Sequence, residues 1–153
     1  MSPQENLRAL GLTLPPAPRP VGSYLPAVRT GNLIFVSGQL PLQEGRLRWV
    51  GKVPSDVDLS AATQAAGTAV LNAVAILAEA AGGLERIARI VRLGVFVNSA
   101  PGFTDQPKVA NGASDLLAAI FGEFGTHARA AVGAAELPLN APVEIELVAE
   151  VRP

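Results

Sequence analysis

The sequence predicts an α+β domain in which about six strands form a mixed sheet and two long helices cover one of its faces. Three observations carry that prediction. Two Ala-rich stretches, about Leu59 to Ala81 and Gln106 to Phe124, repeat apolar residues at spacings of three and four. Between them, Ile87 to Val97 is rich in Val and Ile and apolar on both parities, as a strand inside a sheet is. Around these, short alternating runs are bounded by Gly, Pro and Asn. The resulting order is β-β-β-α-β-α-β-β.

In chain order, residues 1–21 form an N-terminal arm: a short helix from about Pro3 to Leu10, then four prolines within 15–20 that extend the chain over the surface. Residues 22–153 form a single domain. Tyr24 to Arg29 and Asn32 to Ser37 read as strands joined at Thr30-Gly31-Asn32. Gly38 follows, where a missing side chain lets the backbone approach a neighbour or a ligand. Gln43-Glu44-Gly45 turns into a short edge strand over Arg46 to Val50. Asp58 caps the first long helix and Gly82-Gly83 stop it. Its buried stripe is Leu59, Ala62, Ala66, Val70, Val74, Leu77 and Ala81. The Ile87–Val97 strand is expected to be covered on both faces. Asp105 caps the second helix, with Pro107 in its first turn. Val109, Ala113, Leu116, Leu117, Ile120, Phe121 and Phe124 make its buried side. Ala128 to Pro138 and Val143 to Val148 then read as a β-hairpin turned by Leu137-Pro138-Leu139-Asn140-Ala141-Pro142. Two helices leave the second sheet face without a layer. Its apolar residues predict burial against further copies of the chain, a compact homo-oligomer.

Composition narrows the function. The 153 residues are 49% hydrophobic and 16% charged, with net charge −1 and no run of like charge. A nucleic-acid partner calls for a basic face, which the pattern lacks. There is no cysteine and one histidine, His127, which excludes thiolate chemistry and His-rich metal sites. The apolar run Ala65 to Ala81 is broken by Gly67, Thr68, Asn72 and Glu79 and is amphipathic, so no membrane partner is expected. No signal-peptide pattern opens the chain, and a cytoplasmic location is the expectation.

One residue stands out chemically. Arg129 is a lone cation among small apolar residues, Ala128 to Ala135. A guanidinium is a planar fork of donors that matches a carboxylate in two parallel hydrogen bonds. On this pattern alone a structural salt bridge or a plain exposed strand position is the more usual account of such a residue.

The residues in series resemble the RidA/YjgF family of reactive-intermediate deaminases, also labelled the L-PSP endoribonuclease family. The resemblance runs through Gly22-Ser23-Tyr24, the segment Gly31-Asn32 to Ser37-Gly38-Gln39-Leu40-Pro41, Val95-Phe96-Val97, and Ala128-Arg129 through Leu137-Pro138 to Val143-Glu144-Ile145-Glu146. It covers about residues 17–152. It implies a chorismate-mutase-like fold, a homotrimer, and ligand sites in the clefts between subunits. It further implies hydrolysis of enamines or imines of amino acids to 2-oxo acids and ammonia, with no cofactor and no metal. On that resemblance Arg129 binds the substrate carboxylate, Glu144 orients or deprotonates the water, and Tyr24 and Ser37 complete the catalytic set. Gly38, Asn111 and Ala131 line the bound substrate, while His127 is a loop residue. Arg129 and Glu144 on one hairpin would lie some 15–20 Å apart, so they are expected to meet only between chains. Ala131 replaces the family's frequent cysteine and Gly133 its frequent acidic residue, and two such small side chains imply room for a larger ligand. The long 46–57 segment and the arm resemble a longer-chain branch of the family. A trimer that binds small carboxylates without turnover is the alternative. The ribonuclease label finds no support in the balanced charge.

Overall fold

The computed structural model describes residues 1–20 and 22–153, so Val21, the last residue of the expected arm, lies outside the described residues. Helix α1 spans Pro3–Ala9. Ser2 and Glu5 close a capping box, with Glu5 N donating to Ser2 Oγ at 3.1 Å and Ser2 N to Glu5 Oε2 at 2.7 Å. The helix is fastened to the rest of the fold by buried Leu7 and by Asn6 Nδ2, which donates to the Ile120 carbonyl at 2.8 Å.

The main sheet contains β1 (Ala27–Thr30), β2 (Leu33–Gln39), β5 (Ile87–Asn98), β6 (Ala128–Ala134) and β7 (Val143–Val151), in the spatial order β1-β2-β7-β5-β6. β5 and β6 run parallel and every other pair is antiparallel. β3 (Leu42–Gln43) and β4 (Arg46–Leu47) form a separate two-stranded ribbon. The expected six strands are therefore seven in two sheets. The first strand begins at Ala27 rather than Tyr24, and the ribbon strand stops at Leu47 rather than Val50.

The expected hairpin of β6 and β7 does not exist, because β5 lies between them. The reason is topological. β5, the following helix and β6 make a crossover unit, which returns the chain parallel to where it started. β7 then enters on the other side of β5, antiparallel to both β5 and β2. Alternation of apolar and acidic residues is the same in a hairpin arm as in such an inner strand, so the pattern alone cannot separate them.

Helix α2 (Leu59–Ala81) has the expected bounds. Asp58 Oδ1 accepts from Ala61 N at 2.8 Å, and Gly82 closes the helix at φ 85°. The helix is long and apolar enough to cross a membrane, but most of its alanines and both its valines are buried in the core. Helix α3 (Gln106–Phe121) ends three residues early, and the chain tightens into a 3-10 turn over Gly122–Gly125 that leaves Phe124 half exposed rather than buried. Asp105 makes no side-chain cap; its carboxylate stands 3.7 Å from Lys108 Nζ instead. The two helices cross at Gly112, where any side chain would collide with the Thr63 backbone of α2.

Both helices lie on one sheet face. Ile34, Val36, Leu93, Val95, Val97, Val143, Ile145, Leu147 and Ala149 point into that layer and are buried. The other face is open: Val28 is 52% exposed, Phe35 46% and Val132 47%. β5 is therefore covered on one face only within a single chain, and Arg92 on its open side is exposed.

Candidate functional site

The sheet sorts the candidate residues into two groups on opposite faces. Arg129 pairs with Leu93 across β6 and β5, and Leu93 points into the helical layer. Its side chain accordingly reaches α3. Nη1 donates to Asn111 Oδ1 at 2.8 Å and to Ser114 Oγ at 3.1 Å, and Nη2 donates to the Pro107 carbonyl at 3.4 Å. Pro107, Asn111 and Ser114 stand at i, i+4 and i+7, so one stripe of α3 supplies all three acceptors. No carboxylate pairs with Arg129 among the described residues, which removes the salt-bridge explanation for its charge. Nη1 has spent both of its hydrogens. Nε–H and one Nη2–H remain to donate to a carboxylate.

Ala131, two residues on, points the same way as Arg129 and is half buried. Gly133 does not provide the extra room its size implied. A side chain there would press on Ser99 Oγ and Gln106 Nε2, which already fill the space and are hydrogen-bonded to each other at 3.2 Å.

The second group gathers where β2 leaves the sheet. Between Val36 and Gln39 the register against β7 shifts, and Ser37 and Gly38 occupy the irregularity. Any side chain at Gly38 would overlap the Glu144 carboxylate, so this glycine is what lets that carboxylate lie over the strand. Glu144 alternates with buried Val143 and Ile145 and so faces the open side of the sheet. Burial raises its carboxyl above the ordinary glutamate range, and neighbouring Glu146 adds to the rise. Ser37 Oγ donates to the Leu25 carbonyl at 2.7 Å, which fixes the loop carrying Tyr24. Tyr24 itself is 46% exposed, with its ring against Gly22.

Within one chain the two groups cannot meet. Arg129 is level with Leu93 and Glu144 with Phe96, so they stand three residues and two strands apart, about 14 Å at the usual spacings, on opposite faces. The separation expected from a hairpin is present, but strand insertion and parity produce it. Two cavities, of about 490 and 790 Å³, flank the Pro-rich arm, and neither is lined by Arg129, Asn111, Ser37 or Glu144.

Ser114 and the Pro107 carbonyl are functional groups that the sequence reading missed. Their signal was available, since they share the helical spacing of Asn111. His127 lies in the loop before β6, as expected, and its Nε2 is 2.9 Å from Ser114 Oγ.

Comparison with known proteins shows the family. The family model described as "YjgF/chorismate mutase-like, putative endoribonuclease" matches residues 4–151. Protein TCP17 of Trypanosoma cruzi is 43% identical over 146 residues, covering 95% of this chain and 91% of that protein. The 2-iminobutanoate/2-iminopropanoate deaminase of Escherichia coli (strain K12) is 34% identical over 135 residues, covering 87% of this chain and 91% of the deaminase. Among solved structures, an endoribonuclease-labelled protein from Shewanella oneidensis superposes with a TM-score of 0.95 at 38% identity, over 99% of this chain and 100% of that one. With its mixed sheet under two long helices and a match spanning nearly its whole length, the chain belongs to the YjgF/RidA family.

Proposed function

We propose that this protein hydrolyses small 2-imino acids to 2-oxo acids and ammonia, without a cofactor, at sites shared between neighbouring copies in a homotrimer. The observation that carries this reading is the Arg129 fork. Three α3 acceptors hold it, no carboxylate among the described residues neutralises it, and Nε–H and one Nη2–H stay free to donate. A substrate carboxylate on those donors fixes the adjacent C=N carbon in place, which is most of what a reaction with water requires. Glu144 of a neighbouring copy takes a proton from the attacking water, and its raised proton affinity suits it to the task. Water oxygen adds to the carbon as the C=N π pair moves to nitrogen. The proton held by Glu144 then passes to that nitrogen to give the carbinolamine; Glu144 next takes the proton of the new hydroxyl and hands it to the same nitrogen, so that the C–N bond breaks and ammonia leaves as C=O forms. Ser37, next to the glycine that Glu144 lies over, and Tyr24, on the loop that Ser37 fixes, hold the water or the departing nitrogen. The open apolar face carries the assembly that brings the two groups together. The E. coli relative named for this activity supports the choice of reaction.

The test is a coupled assay in which an amino-acid oxidase releases 2-imino acids beside semicarbazide. Wild type is expected to consume the imine before it is trapped. Arg129→Ala is expected to lose about a hundredfold in kcat/KM, the scale of a lost charge-assisted pair. If small, branched and aromatic imines all decay at the uncatalysed rate while 2-oxobutanoate still binds, the protein is a carboxylate-binding assembly and the hydrolase reading falls.

A further inference from the structure

Arg129 is itself held by a chain of groups that runs away from the substrate side. His127 Nδ1 lies 2.6 Å from the Gly125 carbonyl. A carbonyl only accepts, so Nδ1 carries a hydrogen, and the neutral ring then presents Nε2 as an acceptor. Ser114 Oγ, 2.9 Å from Nε2, donates to it and turns its lone pairs toward Arg129 Nη1 at 3.1 Å. Each bond sets the direction of the next. The outer end of the chain is anchored by backbone: Gly125 packs so tightly on α3 that a side chain there would overlap the Leu117 carbonyl. A serine hydroxyl alone rotates among several directions, and the imidazole removes that freedom.

We propose that His127 and Ser114 are positioning residues for Arg129. By fixing the serine lone pair they hold Nη1 turned toward α3 and keep the free Nε and Nη2 hydrogens facing the substrate. The proposal rests on the reading that Arg129 binds a carboxylate, and it adds two residues that touch neither substrate nor reacting atoms. Asn111 shares the task by taking the other Nη1 hydrogen. His127, on the turn before β6, ties the orientation of the fork to that turn as well as to α3.

The full-length chain is tested by calorimetric binding of 2-oxobutanoate and by the imine assay, on Ser114→Ala, Ser114→Thr, His127→Phe, the double variant Ser114→Ala/His127→Phe, and Arg129→Ala. Ser114→Ala removes one atom from a helix and preserves the fold. We expect Ser114→Ala and His127→Phe each to weaken 2-oxobutanoate binding about tenfold, with kcat changed far less. Ser114→Thr, which keeps the hydroxyl, is expected to stay near wild type. The double variant should be no weaker than either single one, because the two residues act as one chain. Wild-type affinity in Ser114→Ala, or losses that multiply in the double variant, overturn the proposal. If Arg129→Ala also binds like wild type, the fault lies with the carboxylate reading itself; if Arg129→Ala alone is impaired, only the positioning role is lost.

Discussion

The surroundings of Glu144 raise its proton affinity, first through burial and then through Glu146. The folded chain therefore holds that proton more tightly than the unfolded chain does. The protonated carboxyl favours the fold at acid pH, and its contribution is lost as pH climbs from the ordinary value of 4.5 through the higher folded one. Glu144→Gln is expected to melt above wild type at neutral pH and level with it near pH 4, as thermal denaturation across that range will read. The same variant should lose imine hydrolysis while keeping 2-oxobutanoate binding, since Arg129 is untouched. A variant that hydrolyses imine at the wild-type rate would remove Glu144 from the mechanism. Arg129 was legible in the sequence because a cation among alanines needs an explanation. The face it occupies was not. Ala128, Ala130, Ala131 and Gly133 offer no contrast between the two parities, and only the pairing with Leu93 shows that Arg129 turns toward α3.

At the scale of elements, α2 was readable at both ends because each end rests on local chemistry. Asp58→Ala removes the bond to Ala61 N and is expected to cost about 1 kcal/mol. In a domain of this size that is a fall of about 3 °C in Tm, measurable by calorimetry. A Tm within error of wild type would show that other groups serve the helix end. The start of α3 was harder to read: Asp105 has the right residue type in the right place, yet its carboxylate lies near Lys108 rather than on a backbone amide. The larger misreading, β6 and β7 as a hairpin, has a physical cause. A six-residue turn with two prolines suits a reversal between neighbours, and it suits equally a step over one intervening strand. What decides between them is that β5 already occupies the place beside β6, a long-range fact no local window contains.

Across the whole molecule, the uncovered sheet face could be read from element order alone, because two helices cannot cover both sides. Phe35 and Val132 stand on it, and Phe35→Glu is expected to lower the mass seen by sedimentation toward a single chain and to abolish hydrolysis with Arg129 intact. The division of the site between copies has a sharper test. Arg129→Ala and Glu144→Gln chains, each inactive, should regain activity when refolded together. In a ring of directional interfaces, random mixing leaves roughly a quarter of the sites with both groups. No recovery in verified mixed assemblies would overturn the pairing of Arg129 and Glu144 across copies. The inner position of β7 also bears on how the domain comes to be made. It is the last strand in sequence, yet it joins β1 and β2 on one side to β5 and β6 on the other. Until it arrives, the earlier strands are two separate ribbons with bare edges, of the kind that recruit foreign strands. The chain must hold those edges apart from other chains until β7 has been made, and closing the sheet across such sequence distances makes its folding slow for its size.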